Sequence, residues 1–139
     1  MSEHPLPVVG AFILNKNGQL LLVKSYKWDN GKIWSVPGGK IKIGETIEEA
    51  IKREVKEEVG VEINFVKVFA IWDAINPKEF FQKKHFIFLE CQCLIKEDEV
   101  IKLDNQEIQE FAWFDLKESS KANLEYWTRR SIEVLIKEI

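Results

Sequence analysis

Apolar residues recur with two different periods along the chain, and these periods predict a mainly β protein with two helices. Period-two and continuous apolar runs predict strands over 6–14, 19–26, 61–72, 84–95 and 110–114. Asn17-Gly18 separates the first two runs, and because this pair readily adopts positive φ, we expect a hairpin there. Helical spacing predicts one helix in the middle of the chain and a terminal helix over 123–139.

The ends of the central helix are marked by capping residues. Thr46 followed by Glu49 fits a capping box, and Gly60 stands where a C-terminal cap glycine belongs, so the helix is predicted over 47–59. The preceding segment, 28–46, is rich in glycine, which predicts a loop with short extended pieces. A glycine-rich loop is therefore expected directly before a well-delimited helix.

Three glutamates lie on this helix where a solvated surface helix would not place them. At about 100° per residue, the apolar face of the helix is formed by Ile47, Ala50, Ile51, Val55 and Val59. Glu54 and Glu58 fall inside that face, and Glu57 lies just beyond its edge. Like charges at this spacing destabilise a helix by about 0.2–0.5 kcal/mol per pair, and a buried carboxylate needs a proton, a basic partner or a cation. The pattern predicts a cation site.

The ligand chemistry indicates which cation this would be. Carboxylates without histidine or cysteine favour Mg²⁺ or Mn²⁺ over zinc. Mg²⁺ held by one or two carboxylates completes its shell with water and substrate phosphates. The run PGGKIKIGE before the helix lets bare backbone approach metal or phosphate, because glycine has no side chain. A phosphate-containing substrate is therefore expected.

The bulk composition narrows the class of protein. The chain has 139 residues, enough for one domain, and a formal net charge of −3 from 20 basic and 23 acidic residues. That balance argues against a broad nucleic-acid or anionic-membrane surface. No apolar signal core and no run of about 18 apolar residues is present, so we expect a soluble cytoplasmic protein without a membrane partner.

Two cysteines alternate along an apolar run. Cys91 and Cys93 share one face of the predicted strand, so neither points at the other for a disulfide, and buried reduced thiols are expected. The alternative is a metal pair with His85 or His4, which lacks further ligands at suitable spacing.

Residues 39–61 resemble a complete Nudix box. Gly39 is followed after five residues by Glu45, and after seven more by REVKEEVGV, residues 53–61. The hairpin before the box, GKIWSVPGG leading into it and EIQEFAWFDL after it extend the resemblance over almost the whole chain. The resemblance implies one domain over 1–139 with a Nudix-type α/β/α sandwich around a mixed β-sheet, an α/β (α+β) fold.

The resemblance also implies an activity and roles for individual residues. Nudix hydrolases use Mg²⁺ or Mn²⁺ to cleave a nucleoside diphosphate linked to another moiety. The metal ligands implied by the resemblance are Gly38, through its carbonyl, Glu54, Glu57 and Glu58. Arg53 and Glu45 would orient these carboxylates. Against these roles, Arg53 could be a surface ion-pair partner and Glu45 could merely favour a helix N-terminus.

The general base is implied at one of two positions, because family members take it from the box helix or from a later loop. Glu54 is the candidate on the helix. Glu107, six residues before Trp113, is the candidate in the loop, with Glu110 nearby. A solvated loop carboxylate is the alternative for either of the two loop glutamates.

Substrate contacts are expected from residues outside the box. Trp34 and Trp113 are assigned to the core. Aromatic residues in or beside loops could stack on a nucleobase, and an exposed lysine could meet phosphate. These candidates are Trp28, Trp72, Phe81 and Lys83. Packing is the alternative for each of the aromatic residues.

The preferred substrate is a (deoxy)nucleoside triphosphate, cleaved to monophosphate and pyrophosphate. EVIKLDNQEIQEFAWF and NLEYWTRRSIEVL resemble a branch of the family that contains pyrimidine nucleoside triphosphatases. Pro77 lies near the marker proline of ADP-ribose pyrophosphatases, so ADP-ribose and nucleotide sugars are the alternative. A non-catalytic nucleotide sensor and RNA-end processing are two further functions to weigh, although no RNA-binding groove is evident and no nucleic acid polymer is expected. A homodimer is compatible with the habits of the family.

Overall fold

The computed structural model describes residues 4–139 and contains a six-stranded mixed sheet with a helix packed on each face. The strands and helices, in chain order, are β1 Leu6–Leu14, β2 Gln19–Ser25, β3 Gly38–Lys40, α1 Ile47–Val59, β4 Ile63–Ile75, β5 His85–Ile95, β6 Ile108–Asp115 and α2 Tyr126–Glu138. This is the α/β/α sandwich with a mixed central sheet that the sequence resemblance implied. His4 is described, whereas residues 1–3 lie outside the described residues.

The strand order is β4-β5-β1-β2-β6, and β3 pairs with β1 beside this path. β1 and β5 are parallel, and the other strand pairs are antiparallel. β1 and β2 meet at Leu14 and Leu20 and then diverge. The segment before α1 enters the gap: Val23 and Ser35 exchange two backbone hydrogen bonds of 2.9 and 2.8 Å, and Ala11 N donates to Pro37 O. The glycines before α1 are thereby held at the middle of the sheet.

Each face of the sheet buries its own helix because successive side chains of a strand point to opposite faces. On β1, Val9, Ala11 and Ile13 pack in the core under α1, whereas Phe12 and Leu14 pack in the core under α2. The α1 core also contains Cys91 and Cys93. Both cysteines are free and buried, and burial raises the pKa of the Cys91 thiol to about 12, which disfavours its thiolate form.

Helix α1 has the bounds and caps that the sequence predicts. Glu49 N donates to Thr46 Oγ1 at 3.1 Å and Thr46 N donates to Glu49 Oε1 at 2.9 Å, which completes the capping box. Gly60 ends the helix with φ of 72°, a conformation that glycine adopts without a steric cost. The sequence was sufficient to predict both ends of α1 because each cap involves residues within four positions of the helix end.

Several predicted element boundaries need correction, among them the start of β6 at Ile108 rather than at 110, and the two largest differences concern the terminal helix and β4. The terminal helix begins at Tyr126 rather than at 123, because Glu125 caps it by accepting hydrogen bonds from Trp127 N and Thr128 N. β4 continues to Ile75, three residues beyond the predicted end at 72, because it pairs with β5 along its whole length. Trp72 therefore lies inside a strand and not beside a loop. No helix within residues 4–139 combines the length and the hydrophobicity needed to cross a bilayer.

Candidate active site

A cleft of about 630 Å³ opens where β1 and β2 diverge. It is lined on one side by β3 and by the three box glutamates of α1, and on the other by aromatic residues of the α2 face. Glu54, Glu57, Glu58 and Glu107 all contribute to its surface. The proposed metal glutamates and both candidates for the general base therefore lie in one concave site, whereas Glu45 and Glu110 do not line it.

Glu58 is the most deeply buried of these carboxyls. Its side chain is held by Gly38 N, which donates to Glu58 Oε1 at 3.1 Å. Burial, then the neighbouring charges of Glu107 and Glu54, raise the pKa of Glu58 to about 10. A carboxyl in this position is stable as an anion only when a cation is close.

Arg53 contacts several carboxylates of the box at once. Its guanidinium makes two hydrogen bonds to Glu45, of 2.6 and 2.9 Å, and one of 2.9 Å to Glu54 Oε1. It also donates to Lys40 O and lies 3.4 Å from Glu57 Oε2. Hydrogen bonding to Arg53 lowers the pKa of Glu45 to about 2, so Glu45 is ionised and holds the guanidinium in place.

The two glycines before α1 permit a close approach of backbone to these side chains. A Cβ on Gly39 would lie 2.5 Å from the carboxyl of Glu54, and a Cβ on Gly38 would lie 2.1 Å from Val9 O. Any side chain at either position would force the strand or the carboxyl to move. The glycine of the box is therefore required by the position of Glu54.

Glu107 lies across the cleft from α1, on a loop whose conformation was only partly predicted from the sequence. It forms an ion pair of 2.6 Å with Lys27, and its carbonyl accepts from Tyr26 N. Asp104, which sequence reasoning missed, shapes this loop by accepting hydrogen bonds from Gln106 N and Ile108 N. The side chain of an Asp that bonds backbone two residues ahead is a recognisable turn signal, so Asp104 could have been found.

The donor set fits a hard divalent cation in its chemistry. The candidate ligands Glu54, Glu57 and Glu58 offer only oxygen atoms, as Mg²⁺ and Mn²⁺ prefer. Within residues 4–139, however, no three acidic, histidine or cysteine side chains are grouped as a preformed metal cage. Arg53 holds Glu54 Oε1 and approaches Glu57 Oε2, so a cation in the cleft would be bound through the other oxygen of each of these two carboxylates.

Of the four predicted substrate contacts, only Trp28 lines the cleft. Trp72 packs against Trp127 and donates its indole N–H to Ser131 Oγ at 2.8 Å, because the longer β4 carries it under α2. Phe81 is 58% exposed and packs on Phe80, while Lys83 is exposed in the same loop. Trp34 and Trp113 are partly buried against the two cores, as the sequence indicates.

The cleft also contains residues that sequence reasoning missed. They are Phe80, Phe86, Phe88, Glu90, Glu125 and Thr128. Phe86, Phe88 and Glu90 are separated by two positions each, so they share the α2 face of β5. That spacing, with an acidic residue interrupting an apolar face, was a signal available in the sequence. The position of Glu125 depends on where α2 begins, so no comparable signal for Glu125 was available in the sequence.

Ser35 is a further cleft residue with an unusual environment. It is 3% exposed, and its hydroxyl has no hydrogen-bond partner among the residues that the structure describes. An unpaired buried hydroxyl costs about 1–3 kcal/mol. Ser35→Ala is therefore expected to raise the free energy of unfolding, by about 1 kcal/mol, in urea denaturation.

Ser131→Ala is the matched control for this prediction. Its hydroxyl is also buried, but it contacts Trp72 Nε1, Trp127 O and Glu90 Oε2 at 2.8 to 2.9 Å. Its removal should lower the free energy of unfolding by about 1–3 kcal/mol. Equal destabilisation by the two variants would show that the Ser35 hydroxyl is paired in solution.

Comparison with known proteins gives consistent results. The family model described as the NUDIX domain matches residues 4–135. The nucleoside triphosphatase NudI of Enterobacter sp. (strain 638) is 34% identical over 126 residues, covering 84% of this chain and 87% of that protein. Nudix hydrolase 5 of Arabidopsis thaliana is 37% identical over 112 residues, covering 79% of this chain and 36% of the relative. The chain thus spans about a third of that plant protein.

A solved structure shares the fold over nearly its whole length. The MutT protein from Methanosarcina mazei Go1 superposes with a TM-score of 0.80 at 24% sequence identity, covering 99% of this chain and 98% of that one. At this identity the similarity establishes the fold alone. The cleft, the sequence relatives and the fold therefore agree with one another.

Proposed function

Because the chain belongs to the Nudix family of hydrolases, we propose that it is a divalent-metal-dependent pyrophosphohydrolase that cleaves nucleoside triphosphates to a monophosphate and pyrophosphate. The observation that carries the proposal is the cleft, in which the acidic residues of α1 face an aromatic wall. An acidic end suits a metal-bound phosphate chain, and an aromatic end suits a nucleobase. A small nucleotide has both parts.

The proposed cation is Mg²⁺ or Mn²⁺, held by Glu54, Glu57 and Glu58 with the Gly38 carbonyl as a further ligand. When bound, it supplies a Lewis acid that polarises phosphoryl oxygens and favours ionisation of the attacking water. Arg53 keeps Glu45 and Glu54 in fixed positions through the short hydrogen bonds described above. Gly38 N–H similarly fixes Glu58. These contacts reduce the reorganisation that the site needs during hydrolysis.

The proton of the attacking water is accepted by Glu107 or Glu54 in this proposal. Both carboxylates line the cleft. Glu54 already accepts a hydrogen bond from Arg53 and is a proposed metal ligand, whereas Glu107 forms an ion pair with Lys27 and is not a proposed ligand. We therefore favour Glu107 as the general base. Water oxygen then bonds to phosphorus, and the phosphoanhydride bond to the leaving group breaks.

A triphosphate is favoured over ADP-ribose and nucleotide sugars for two reasons. The relative named as a nucleoside triphosphatase aligns over 87% of its length. The proline cue for ADP-ribose is weakened by its position, because Pro77 begins a turn in which its carbonyl accepts a hydrogen bond from Phe80 N, and it does not line the cleft.

We expect nucleoside triphosphates to give the highest kcat/KM in a substrate panel. The panel contains ribonucleoside and deoxyribonucleoside triphosphates, ADP-ribose and nucleotide sugars, each assayed with Mg²⁺ and with Mn²⁺. Mass spectrometry identifies both products of each reaction. The ranking is wrong if the kcat/KM for ADP-ribose exceeds that for every triphosphate by about tenfold, a difference of about 1.4 kcal/mol in transition-state stabilisation.

A further inference from the structure

The part of the cleft on the α2 side of the sheet is walled by four aromatic side chains. This aromatic end consists of Trp28, Phe80, Phe86 and Phe88. The ring centroid of Phe80 lies 4.8 Å from that of Trp28 and 4.9 Å from that of Phe86. The ring centroids of Phe86 and Phe88 are 5.3 Å apart. Flat apolar walls of this kind bind heteroaromatic rings, and each base–aromatic contact contributes about 1–3 kcal/mol.

Glu90 follows the two phenylalanines on the same face of β5. It is 4% exposed and lines the cleft. Gly10 is its partner on β1, and a Cβ there would lie 2.3 Å from Glu90 Oε1. A buried carboxyl is thus accommodated by a glycine on the neighbouring strand.

One oxygen of Glu90 is occupied by a hydrogen-bond network. Ser131 Oγ lies 2.9 Å from Glu90 Oε2 and 2.8 Å from Trp127 O, and it accepts from Trp72 Nε1. A hydroxyl has one proton, so it can donate to only one of its two acceptors. A proton on Glu90 Oε2, donated to Ser131 Oγ, satisfies the whole network. Burial raises the pKa of Glu90 to about 8, which agrees with an uncharged carboxyl at neutral pH.

The other oxygen, Glu90 Oε1, faces Gly10 of β1, on a side chain that lines the cleft two positions after Phe88 on the same face of β5. No residue within 4–139 donates a hydrogen bond to it. Glu125, also lining the cleft, is 3% exposed, and its carboxylate accepts from Trp127 N, Thr128 N and Thr128 Oγ1. In the described chain, no lysine or arginine pairs with either carboxyl. The carboxyl groups of Glu90 and Glu125 at this end therefore act as hydrogen-bond acceptors, which suit a ligand that donates hydrogen bonds.

We propose that the aromatic end binds the nucleobase and that Glu90 Oε1 selects bases with an exocyclic amino group, preferring cytosine to uracil and adenine to hypoxanthine. This inference rests on the proposed nucleotide hydrolysis. An amino N–H donates to Oε1, whereas a carbonyl at the same ring position places oxygen against oxygen and leaves both unpaired. A site built to bond a substrate N–H rejects the analogue without it more strongly than a change in size would.

The test compares kcat/KM for two matched substrate pairs, CTP with UTP and ATP with ITP. In the unmodified protein we expect the amino-bearing member of each pair to be favoured at least about tenfold. Equal values in both pairs would overturn the proposal without any variant. This comparison therefore remains decisive even if a substitution at Glu90 prevents folding.

Two variants of similar size separate selection from packing. Glu90→Gln keeps a donor toward Ser131 and an acceptor at Oε1, so it should retain the preference within about threefold. Glu90→Met fills the space but has no acceptor, so it should reduce the preference at least about tenfold. Retention of the preference in Glu90→Met, or an equal loss in both variants, would overturn the role of Glu90.

A binding experiment separates this proposal from the proposed hydrolysis. CMP and UMP are titrated in EDTA into ¹⁵N-labelled protein, and the indole N–H resonance of Trp28 is followed. We expect CMP to shift this resonance and to bind at least about fivefold more tightly than UMP. That result supports the base site even if no triphosphate is hydrolysed. Hydrolysis of triphosphates combined with equal binding of CMP and UMP refutes the base site and leaves the hydrolase intact.

Discussion

Replacing Glu58 by glutamine is expected to lower kcat at least about a hundredfold, the loss typical when a key electrostatic group is removed, while the protein stays folded. Glutamine keeps the oxygen that accepts from Gly38 N. Because burial and neighbouring acids favour the uncharged form of Glu58, glutamine also matches its charge in the absence of a cation. Only the ability to become an anion beside a cation is lost.

Steady-state assays with Mg²⁺ or Mn²⁺ and thermal unfolding in EDTA check this result together. EDTA should abolish turnover of the unmodified protein, and Glu57→Gln should also cost about a hundredfold. Glu48→Gln is the control on the same helix, since Glu48 pairs with Lys52 at the surface and does not line the cleft. Near-normal turnover in both cleft variants, or normal turnover in EDTA, would contradict the metal site.

The half of the site nearest the box was predictable because its signals are local. Thr46, Glu49 and Gly60 delimit α1, and the position of Glu58 on that helix then follows from helical geometry. Burial of Glu58 could be anticipated, since it interrupts the apolar face. What the box could not indicate is that the carboxylates form no preformed metal cage within residues 4–139, and that Arg53 bonds one oxygen of Glu54.

The opposite half of the cleft depends on contacts between distant segments. Trp28 contacts Phe80 because the loop at 76–84 lies against the segment before α1, where Asp29 N donates to Glu79 O, and it also lies near Phe88 of β5. Trp72, like Trp28, was expected in or beside a loop, yet the extension of β4 places it against Ser131 of α2. Periodicity predicts which face a residue occupies, but not which loop will cover that face.

Glu107→Gln is expected to lower kcat by about 10²–10⁴, the usual contribution of general acid–base catalysis, with little change in KM. Glu107 lines the cleft opposite α1, and its ion pair with Lys27 at 2.6 Å holds it on the loop shaped by Asp104. Glutamine preserves the size of the side chain and can still face Lys27, but it cannot accept a proton from water. The loss should therefore appear in the chemical step and not in binding.

Glu110→Gln is the matched control for this prediction, because Glu110 is exposed, lies 3.7 Å from Lys24 and does not line the cleft. It should retain turnover within about twofold of the unmodified protein, as surface substitutions generally do. The pH dependence of kcat gives an independent check. If Glu107 is the base, its replacement removes the acidic limb of the profile, because that limb reports protonation of the base in the enzyme–substrate complex. An unchanged limb together with a small change in kcat would instead assign the base to Glu54, whose carboxyl lies on the box helix beside Gly39.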